Sequence, residues 1–208
     1  VSNTGEVFFV SSFDFINKAS LLQAMDLDCN QLFMVPLPGE VNDISVYKGV
    51  LWLLKRENSS NTILQKVDNT FSVLEEYTLP PEYSAGSSFF IEEGNAFITH
   101  NGGNDFISRY DVAAGTAEKF VDTPDGVLQG IAKIKDTFIS GDRGSGKIYV
   151  IQNREIVNTA VDDDIDHFYL GYLEEINDQL VSLTNDGSKN MLEVVDIEKI
   201  IPKTFPQR

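Results

Sequence analysis

The stretch "AFITHNGGNDFISRYDVAAGTAEKF", residues 96–120, decides the fold of this chain. It opens with aromatic and aliphatic residues and turns through the polar corner at residues 101–104. Two further apolar runs follow, separated by a turn that contains Gly115. β-Branched and aromatic residues favour strands, whereas Gly, Asn and Asp favour the turns that join them. The stretch therefore predicts three short consecutive strands.

The same order of strands and turns recurs along the chain. Aligning the second strand of each copy places Trp52, Phe97, Phe138 and Leu180 at one repeat position, with separations of 45, 41 and 42 residues. A weaker copy comes first and is anchored near Phe8. Short strands repeating about every 42 residues are typical of β-propeller blades. We therefore predict an all-β fold, a β-propeller of about five four-stranded blades.

These repeats predict one domain over residues 1–208. Their approximate bounds are 5–42, 43–87, 88–129, 130–170 and 171–206. The first repeat is expected to hold only three strands, because the chain opens just before its second strand. Three alternatives stay open at this point: a lost N-terminal strand, an irregular five-bladed ring, and an incomplete piece of a larger ring.

The repeat at residues 96–120 resembles the YVTN type of propeller repeat. Its pattern is an apolar strand, Asn-Gly-x-Asn, an aliphatic strand that ends in Asp, a turn and a last strand. Looser copies are "FISGDRGSGKIYVIQNREIV" (residues 138–157) and "VSLTNDGSKNMLEVVDIEKIIPKTF" (residues 181–205). The resemblance implies a YncE-like or surface-layer-type propeller of bacterial envelope proteins. It also implies a periplasmic, cell-surface or secreted location.

Composition excludes several classes of function. The formal net charge is −16, with 32 acidic and 16 basic residues. A nucleic-acid surface needs a field of Lys and Arg, and anionic lipid would be repelled as well. No apolar run approaches the ~20 residues of a membrane-spanning helix. Cys29 is the single cysteine, so an intramolecular disulfide and a cysteine metal cluster are both excluded.

Function in repeat folds generally lies in loops carried by a rigid frame. In a four-stranded blade, the loops between strands two and three share one face with the connections between blades. The repeat map places interblade segments at residues 40–43, 82–84, 122–129 and 162–168 on that face. Loop residues there include Asp14 and residues 56–58. The predicted ligand-binding residues are His100, Asn101, Asp142, Arg143, His167, Asn185 and Asp186. Ordinary solvated turns are the alternative interpretation.

The acidic run "VDDDIDH" is the candidate metal site. Alternating carboxylates from Asp162, Asp164 and Asp166 can converge on calcium, a hard cation that takes six to eight oxygen ligands. An EF-hand is rejected, because His167 and Leu173 stand where that pattern needs Gly and Glu. A solvated acidic loop is the alternative. Calcium is the only cofactor that the sequence suggests.

Two further patterns are interpreted as structural. The segment "GDRGSGK" (residues 141–147) nearly matches a phosphate-binding loop, but Ile148 replaces the Ser or Thr that would bind magnesium, and a predicted strand follows. Asp68, Asp111 and Asp196 close the third strand of their repeats. Because an Asp side chain can bond backbone amides just ahead of it, we expect these residues to cap turns.

No catalytic signature stands out. The chain has two histidines and no Gly-x-Ser-x-Gly elbow, so no catalytic residue is assigned. We predict a non-enzymatic binding or scaffold module that presents loops to a protein, peptide or glycan partner. One alternative is a calcium-dependent propeller hydrolase or lactonase with its site at the channel mouth. Another is an ordered piece of a larger envelope or scaffold protein.

Overall fold

The computed structural model is built of strands and turns in the part of the chain that it describes. That part comprises residues 2–3, 7–14, 16–17, 19–26, 28, 30–58, 61–101, 105–124, 126–161, 168–176, 179–185, 190–195 and 200. Every described strand pair is antiparallel, which confirms the all-β prediction. Among these residues no helix is long and apolar enough to cross a membrane.

The strands form five sheets in chain order. The first holds β1 (Ser2–Asn3), β2 (Val7–Asp14), β3 (Ala19–Asp26) and β4 (Gln31–Pro38). The second holds β5 (Glu40–Tyr47), β6 (Val50–Asn58), β7 (Asn61–Val67) and β8 (Val73–Thr78). A 3-10 turn at Pro81–Tyr83 leads to the third, which holds β9 (Gly86–Glu92), β10 (Asn95–His100), β11 (Phe106–Asp111) and β12 (Thr116–Asp122).

The last two sheets continue this order. The fourth holds β13 (Leu128–Ile134), β14 (Thr137–Asp142), β15 (Lys147–Gln152) and β16 (Glu155–Val161). The fifth holds β17 (Phe168–Ile176), β18 (Gln179–Asn185) and β19 (Asn190–Val195). The fourth strand expected in the last repeat, after Asp196, lies outside the described residues. The first repeat has four strands rather than the expected three, because Ser2 and Asn3 pair with Phe9 and Phe8 as a short inner strand.

Consecutive sheets meet through their inner strands. Strand β5 lies against β1 and β2 of the first sheet and against β9, β9 lies against β13, and β13 lies against β17. Sheets that stack in chain order through their inner strands are the blades of a β-propeller, so the predicted fold is confirmed. No extensive contact joins the described parts of the fifth and first sheets. The described residues therefore form a propeller without a closed ring.

The hydrophobic core is divided among the interfaces between blades. Four clusters of buried side chains occupy the four interfaces between consecutive sheets. Trp52 and Phe89 belong to the cluster at the second interface. Phe97 contacts Phe138 across the third, with ring centroids 4.7 Å apart. Each blade is thus stabilised by its neighbours rather than by a core of its own.

Strand pairing shifts two of the predicted anchors by one residue. The turn between strands one and two is flanked by Glu92 and Asn95 in the third sheet and by Ile134 and Thr137 in the fourth. Counted from that turn, Phe97 corresponds to Ile139 rather than to Phe138. By the same count, the equivalent residue in the fifth sheet is Val181 rather than Leu180. A shift of one residue moves a side chain to the other face, and Phe138 accordingly faces back towards Phe97.

Aspartates cap the turns after third strands, as predicted. Asp68 Oδ1 accepts hydrogen bonds from the backbone N–H groups of Thr70 and Ser72, at 2.8 and 2.9 Å. Asp111 Oδ1 accepts from two amides of its own turn, at 3.0 and 2.9 Å. Asp26 does the same in the first blade, a position that the sequence alignment did not include. Asp196 lies outside the described residues.

Candidate functional site

A cavity of about 270 Å³ opens where the inner strands begin. It is called the mouth cavity here and takes side chains from four consecutive blades: Ser11 and Phe13 from the first, Glu40, Asn42 and Arg56 from the second, Ser87 and Asn101 from the third, and Gln129 from the fourth. This is the end of the sheets at which the interblade connections and the loops between strands two and three were predicted to meet.

An ion pair stands on one wall of the mouth cavity. Arg56 donates to Glu40 Oε2 from Nε at 3.0 Å and from Nη2 at 2.5 Å. The two residues sit opposite each other on β6 and β5, so strand pairing brings the charges together. Their side chains are 40% and 30% exposed. Both therefore remain within reach of a ligand at the cavity surface.

Hydrogen bonds between blades hold the wall of the cavity in place. Asn42 Nδ2 donates to the Gly86 carbonyl at 2.6 Å, and Ser87 Oγ donates to the Leu128 carbonyl at 2.7 Å. Each bond links the first strand of one blade to that of the next. A Cβ on Gly86 would lie 3.0 Å from methyl groups of both Ile98 and Thr62. The close approach of the blades therefore favours glycine at this position.

Asn101 contributes a polar atom that the protein leaves unsatisfied. Its backbone N–H donates to the Ala85 carbonyl at 3.2 Å, which places the residue directly after β10. Its side-chain Oδ1 is buried and accepts no hydrogen bond. Buried polar atoms in folded proteins nearly always have a partner. An unsatisfied acceptor in the wall of a cavity therefore suggests a donor supplied from outside the chain.

His100, the neighbouring predicted residue, is buried in the core. It is 1% exposed, and its ring stacks on Phe106 with centroids 4.5 Å apart. Nδ1 lies 3.0 Å from the Ser84 carbonyl, which can only accept, so Nδ1 carries the proton. Nε2 therefore accepts from the Ser108 hydroxyl at 2.7 Å. Burial lowers the pKa of the imidazole to about 4. His100 is neutral and does not line the mouth cavity.

Asp142 holds its own loop together. Its Oδ1 accepts from the Val127 and Gly144 N–H groups, both at 2.8 Å, and its Oδ2 accepts from Ser145 Oγ at 2.5 Å. Burial opposes the charged form, but these hydrogen bonds outweigh it and lower the pKa of the carboxyl group. A Cβ on Gly126 would overlap this carboxylate. The loop between blades therefore depends on a glycine at residue 126.

Arg143 lies beside Asp142 and takes no part in the hydrogen bonds of that carboxylate. Its side chain is exposed, and among the described residues no ion pair involves its guanidinium group. The segment at residues 143–146 is a turn between β14 and β15. The interpretation of "GDRGSGK" as a hairpin rather than a phosphate-binding loop is thus confirmed, because no helix follows it.

Of the remaining predicted site residues, Asn185 lies in the described part of the chain. His167, Asp186 and the predicted calcium ligands Asp162, Asp164 and Asp166 lie outside the described residues. Asn185 ends β18 at the end of the sheet that corresponds to His100 and Asn101 in the third. Within the described ranges no three acidic, His or Cys side chains cluster closely enough to hold a metal ion.

A second cavity, of about 400 Å³, lies at the opposite end of the inner strands. It is lined by side chains of β5, β9, β13 and β17, among them Glu92 and Lys133. Lys133 Nζ contacts Glu92 Oε2 at 2.5 Å, so these two charges satisfy each other. The sequence did not indicate this cavity, because its lining depends on which face of each inner strand turns to the centre.

The sequence pattern also did not predict that Ser11 and Phe13 line the mouth cavity. The repeat map placed only Asp14 of that strand at the functional face. In the structure Asp14 Oδ1 accepts from the Ile16 and Asn17 amides and caps its own turn. The alternation of side chains along β2 is the pattern that could have predicted their position, because Ser11 and Phe13 lie on the same face of the strand.

Comparisons with known proteins bear on the fold. No protein-family model matches the chain, and no curated protein sequence matches it. Several solved structures match the chain in fold. A protein of unknown function from Bacteroides caccae is 11% identical, with 87% of this chain and 68% of that one covered and a TM-score of 0.65. A chain of the nidogen/laminin complex is 10% identical, with 93% of this chain and 78% of that one covered and a TM-score of 0.61.

A catalytically inactive virginiamycin B lyase from Staphylococcus aureus with quinupristin is 13% identical, covering 93% of this chain and 89% of that chain, with a TM-score of 0.56. This chain spans about half to two thirds of the length of several further propellers that it matches. At such low identities these likenesses support the β-propeller fold and nothing finer. The YVTN and YncE-like resemblance stays a prediction.

Proposed function

We propose that this chain is a non-enzymatic binding or scaffold module whose mouth cavity receives a protein, peptide or glycan partner. The observation that carries the proposal is the buried Oδ1 of Asn101, which accepts no hydrogen bond in the wall of a polar cavity. Oδ1 is closed off from solvent in the structure, so a partner's N–H or O–H satisfies it once the Asn101 side chain turns towards the cavity, with a gain of about 1 kcal/mol.

The rest of the cavity wall suits a ligand rich in amide or hydroxyl groups. Arg56 offers donors, Glu40 offers acceptors, and Phe13 adds an aromatic surface. Peptide backbones and sugars both present donors and acceptors close together, whereas a purely apolar ligand would leave the ion pair desolvated. Binding at the nidogen/laminin interface is a property of that complex, and we extend protein recognition to this chain only as part of the proposal.

Within this proposal the module belongs to the YVTN or YncE-like class and acts in the periplasm, at the cell surface or after secretion. That part rests on the repeat resemblance alone.

The test is a screen of peptide and glycan arrays followed by matched substitutions. Asn101→Leu removes the unsatisfied acceptor, and we expect it to lower the affinity for the selected ligand by about fivefold. Asn95→Leu is the control, because it changes the same residue type at the other end of β10, where the equivalent residue of the second blade is Val50. An equal loss of affinity in the two variants, or no loss in either, would contradict binding in the mouth cavity.

A calcium-dependent hydrolase or lactonase is the alternative function. Oxygen-bearing side chains from four consecutive blades line the mouth cavity: Ser11, Glu40, Asn101 and Gln129. Calcium accepts such mixed oxygen ligands, although Glu40 is already paired with Arg56. Calorimetric titration with calcium decides between the two. Heat of binding that disappears in Glu40→Gln, together with ester or lactone turnover, would favour the enzyme.

A further inference from the structure

An apolar groove lies at the opposite end of the sheets from the mouth cavity, between the first and second blades. Its volume is about 410 Å³. The side chains of Phe9 and Leu51 belong to its lining, and Leu32, Phe33 and Leu74 reach it from β4 and β8. Leu32 is 52% exposed and Leu74 is 56% exposed. Large apolar side chains clustered in the open generally mark a contact surface.

The outer strand β4 differs from the other outer strands in charge. Its sequence, "QLFMVPLP", has no charged residue, whereas β8, β12 and β16 each carry at least one glutamate. Edge strands are normally protected from association by charges or proline. In β4 the prolines are Pro36 and Pro38, so protection is confined to the C-terminal half. The half that borders the groove has no such protection.

The backbone beneath the groove is strained. Phe71 has a φ of +62° and is 4% exposed, a conformation that is rare for a bulky residue. Its ring lies 5.2 Å from that of Phe33 and 6.0 Å from that of Phe9. The turn capped by Asp68 holds it there, because the Phe71 N–H donates to the Asp68 carbonyl at 3.0 Å.

The rim of the groove is acidic. Asp26, Asp28, Asp68 and Glu76 lie in the strands and turns that border it, against Lys48. Glu75 and Lys66 pair with each other at 2.6 Å on the other face of the second blade, where Glu75 also accepts a hydrogen bond from Tyr77. A second copy of this chain would bring the same acidic rim and a net charge of −16 with it, and an anionic lipid surface would be repelled for the same reason. The charge favours a basic partner.

We propose that this groove docks a segment of a partner protein that carries apolar side chains beside lysine or arginine. Apolar side chains fill the space between Leu32, Phe33 and Leu74, and the basic residues meet the acidic rim. The proposal is independent of the function assigned to the mouth cavity, because the two surfaces lie at opposite ends of the sheets and share no residue.

Short synthetic peptides test both parts of this chemistry. The probe alternates leucine and lysine, one control replaces every leucine by serine, and another replaces every lysine by glutamate. We expect the leucine–lysine peptide to bind at least about tenfold more tightly than either control, as measured by fluorescence anisotropy. Equal binding of the serine–lysine peptide would show attraction by charge alone and would overturn the proposal.

Substitutions locate the binding. Leu32→Ser combined with Leu74→Ser should weaken the leucine–lysine peptide by at least about tenfold, and Leu74→Gln alone should weaken it less. Ile16→Ser is the control, because Ile16 is 91% exposed at the other end of the first blade. These positions are exposed, so folding should be retained, which circular dichroism checks. Unchanged affinity in the double variant, or a wild-type dimer in light scattering that the double variant disperses, would overturn the proposal.

Discussion

At the scale of single residues, His100 makes stability depend on pH. Its pKa in the folded protein is about 4 because the ring is buried, against an ordinary value of 6.5. Between these values the unfolded chain takes up a proton and the folded protein does not. Stability should therefore fall as the pH falls from about 6.5 to about 4, by up to about 3 kcal/mol.

The variant His100→Gln isolates this effect. A glutamine amide can donate towards Ser84 and accept from Ser108, but it does not titrate. We expect the variant to be less stable than the wild type at pH 7 and to approach it as the pH falls to 4. Urea unfolding at a series of pH values measures the difference. Parallel stability curves for the two proteins would contradict the assigned neutral state.

Single residues were predictable where their partners are close in sequence. Asp68 and Asp111 were predicted as caps correctly, because the amides they bind lie within four residues. His100 was predicted as a ligand residue from its place at a strand end. Its real partners, Ser84 and Ser108, are 16 and 8 residues away, and only the pairing of β9, β10 and β11 brings all three together.

At the scale of elements, one buried carboxylate ties β5 to β9. Asp43 is 7% exposed, and its Oδ2 accepts from Ser88 Oγ and from the Phe89 N–H, the latter at 2.9 Å. Burial raises its pKa despite these hydrogen bonds. A raised pKa stabilises the fold most below the ordinary value of 3.8, and that contribution is lost as the pH rises through the folded value.

Two substitutions of Asp43 separate its hydrogen bonds from its charge. Asp43→Ala leaves the Phe89 amide without its acceptor and should cost about 1–3 kcal/mol. Asp43→Asn keeps an acceptor for both the Phe89 amide and the Ser88 hydroxyl and buries no charge, while its NH2 group replaces the oxygen that accepts from the Ile44 N–H. We expect Asp43→Asn to gain stability relative to the wild type as the pH rises from 4 to 7, as measured by thermal unfolding. A constant difference between the two proteins over this range would contradict the raised pKa.

Elements were predicted more securely than their register. Each predicted second-strand anchor lies in β2, β6, β10, β14 or β18, since short apolar runs between turns identify strands well. The alignment relied on aromatic residues and so matched Phe138 with Phe97. Loop lengths vary by a few residues between repeats, and side chains alternate between faces, so the sequence pattern alone did not determine which face Phe138 occupies. The flanking turn residues determine it.

At the scale of the whole molecule, the propeller is held together by nearest neighbours. The repeat period predicted five blades, and the structure adds that each of the four core clusters lies between two consecutive blades. Val150 packs towards the fifth blade and is fully buried, whereas Val194, at the equivalent position of the fifth blade, is 62% exposed. Among the described residues, nothing covers that face of the fifth blade.

This arrangement predicts unequal stability along the chain. In the part of the chain that the structure describes, the second, third and fourth blades are covered on both faces, whereas the first and fifth are covered on one. In stacked repeats, stability approximates a sum of contributions from each unit and its interfaces. Amide hydrogen exchange followed by mass spectrometry should therefore show the strongest protection in β9–β11 and β13–β15 and faster exchange in β2–β4 and β17–β19. Uniform protection of all five blades would instead indicate a ring closed between the first and fifth blades, because only closure gives every blade two neighbours.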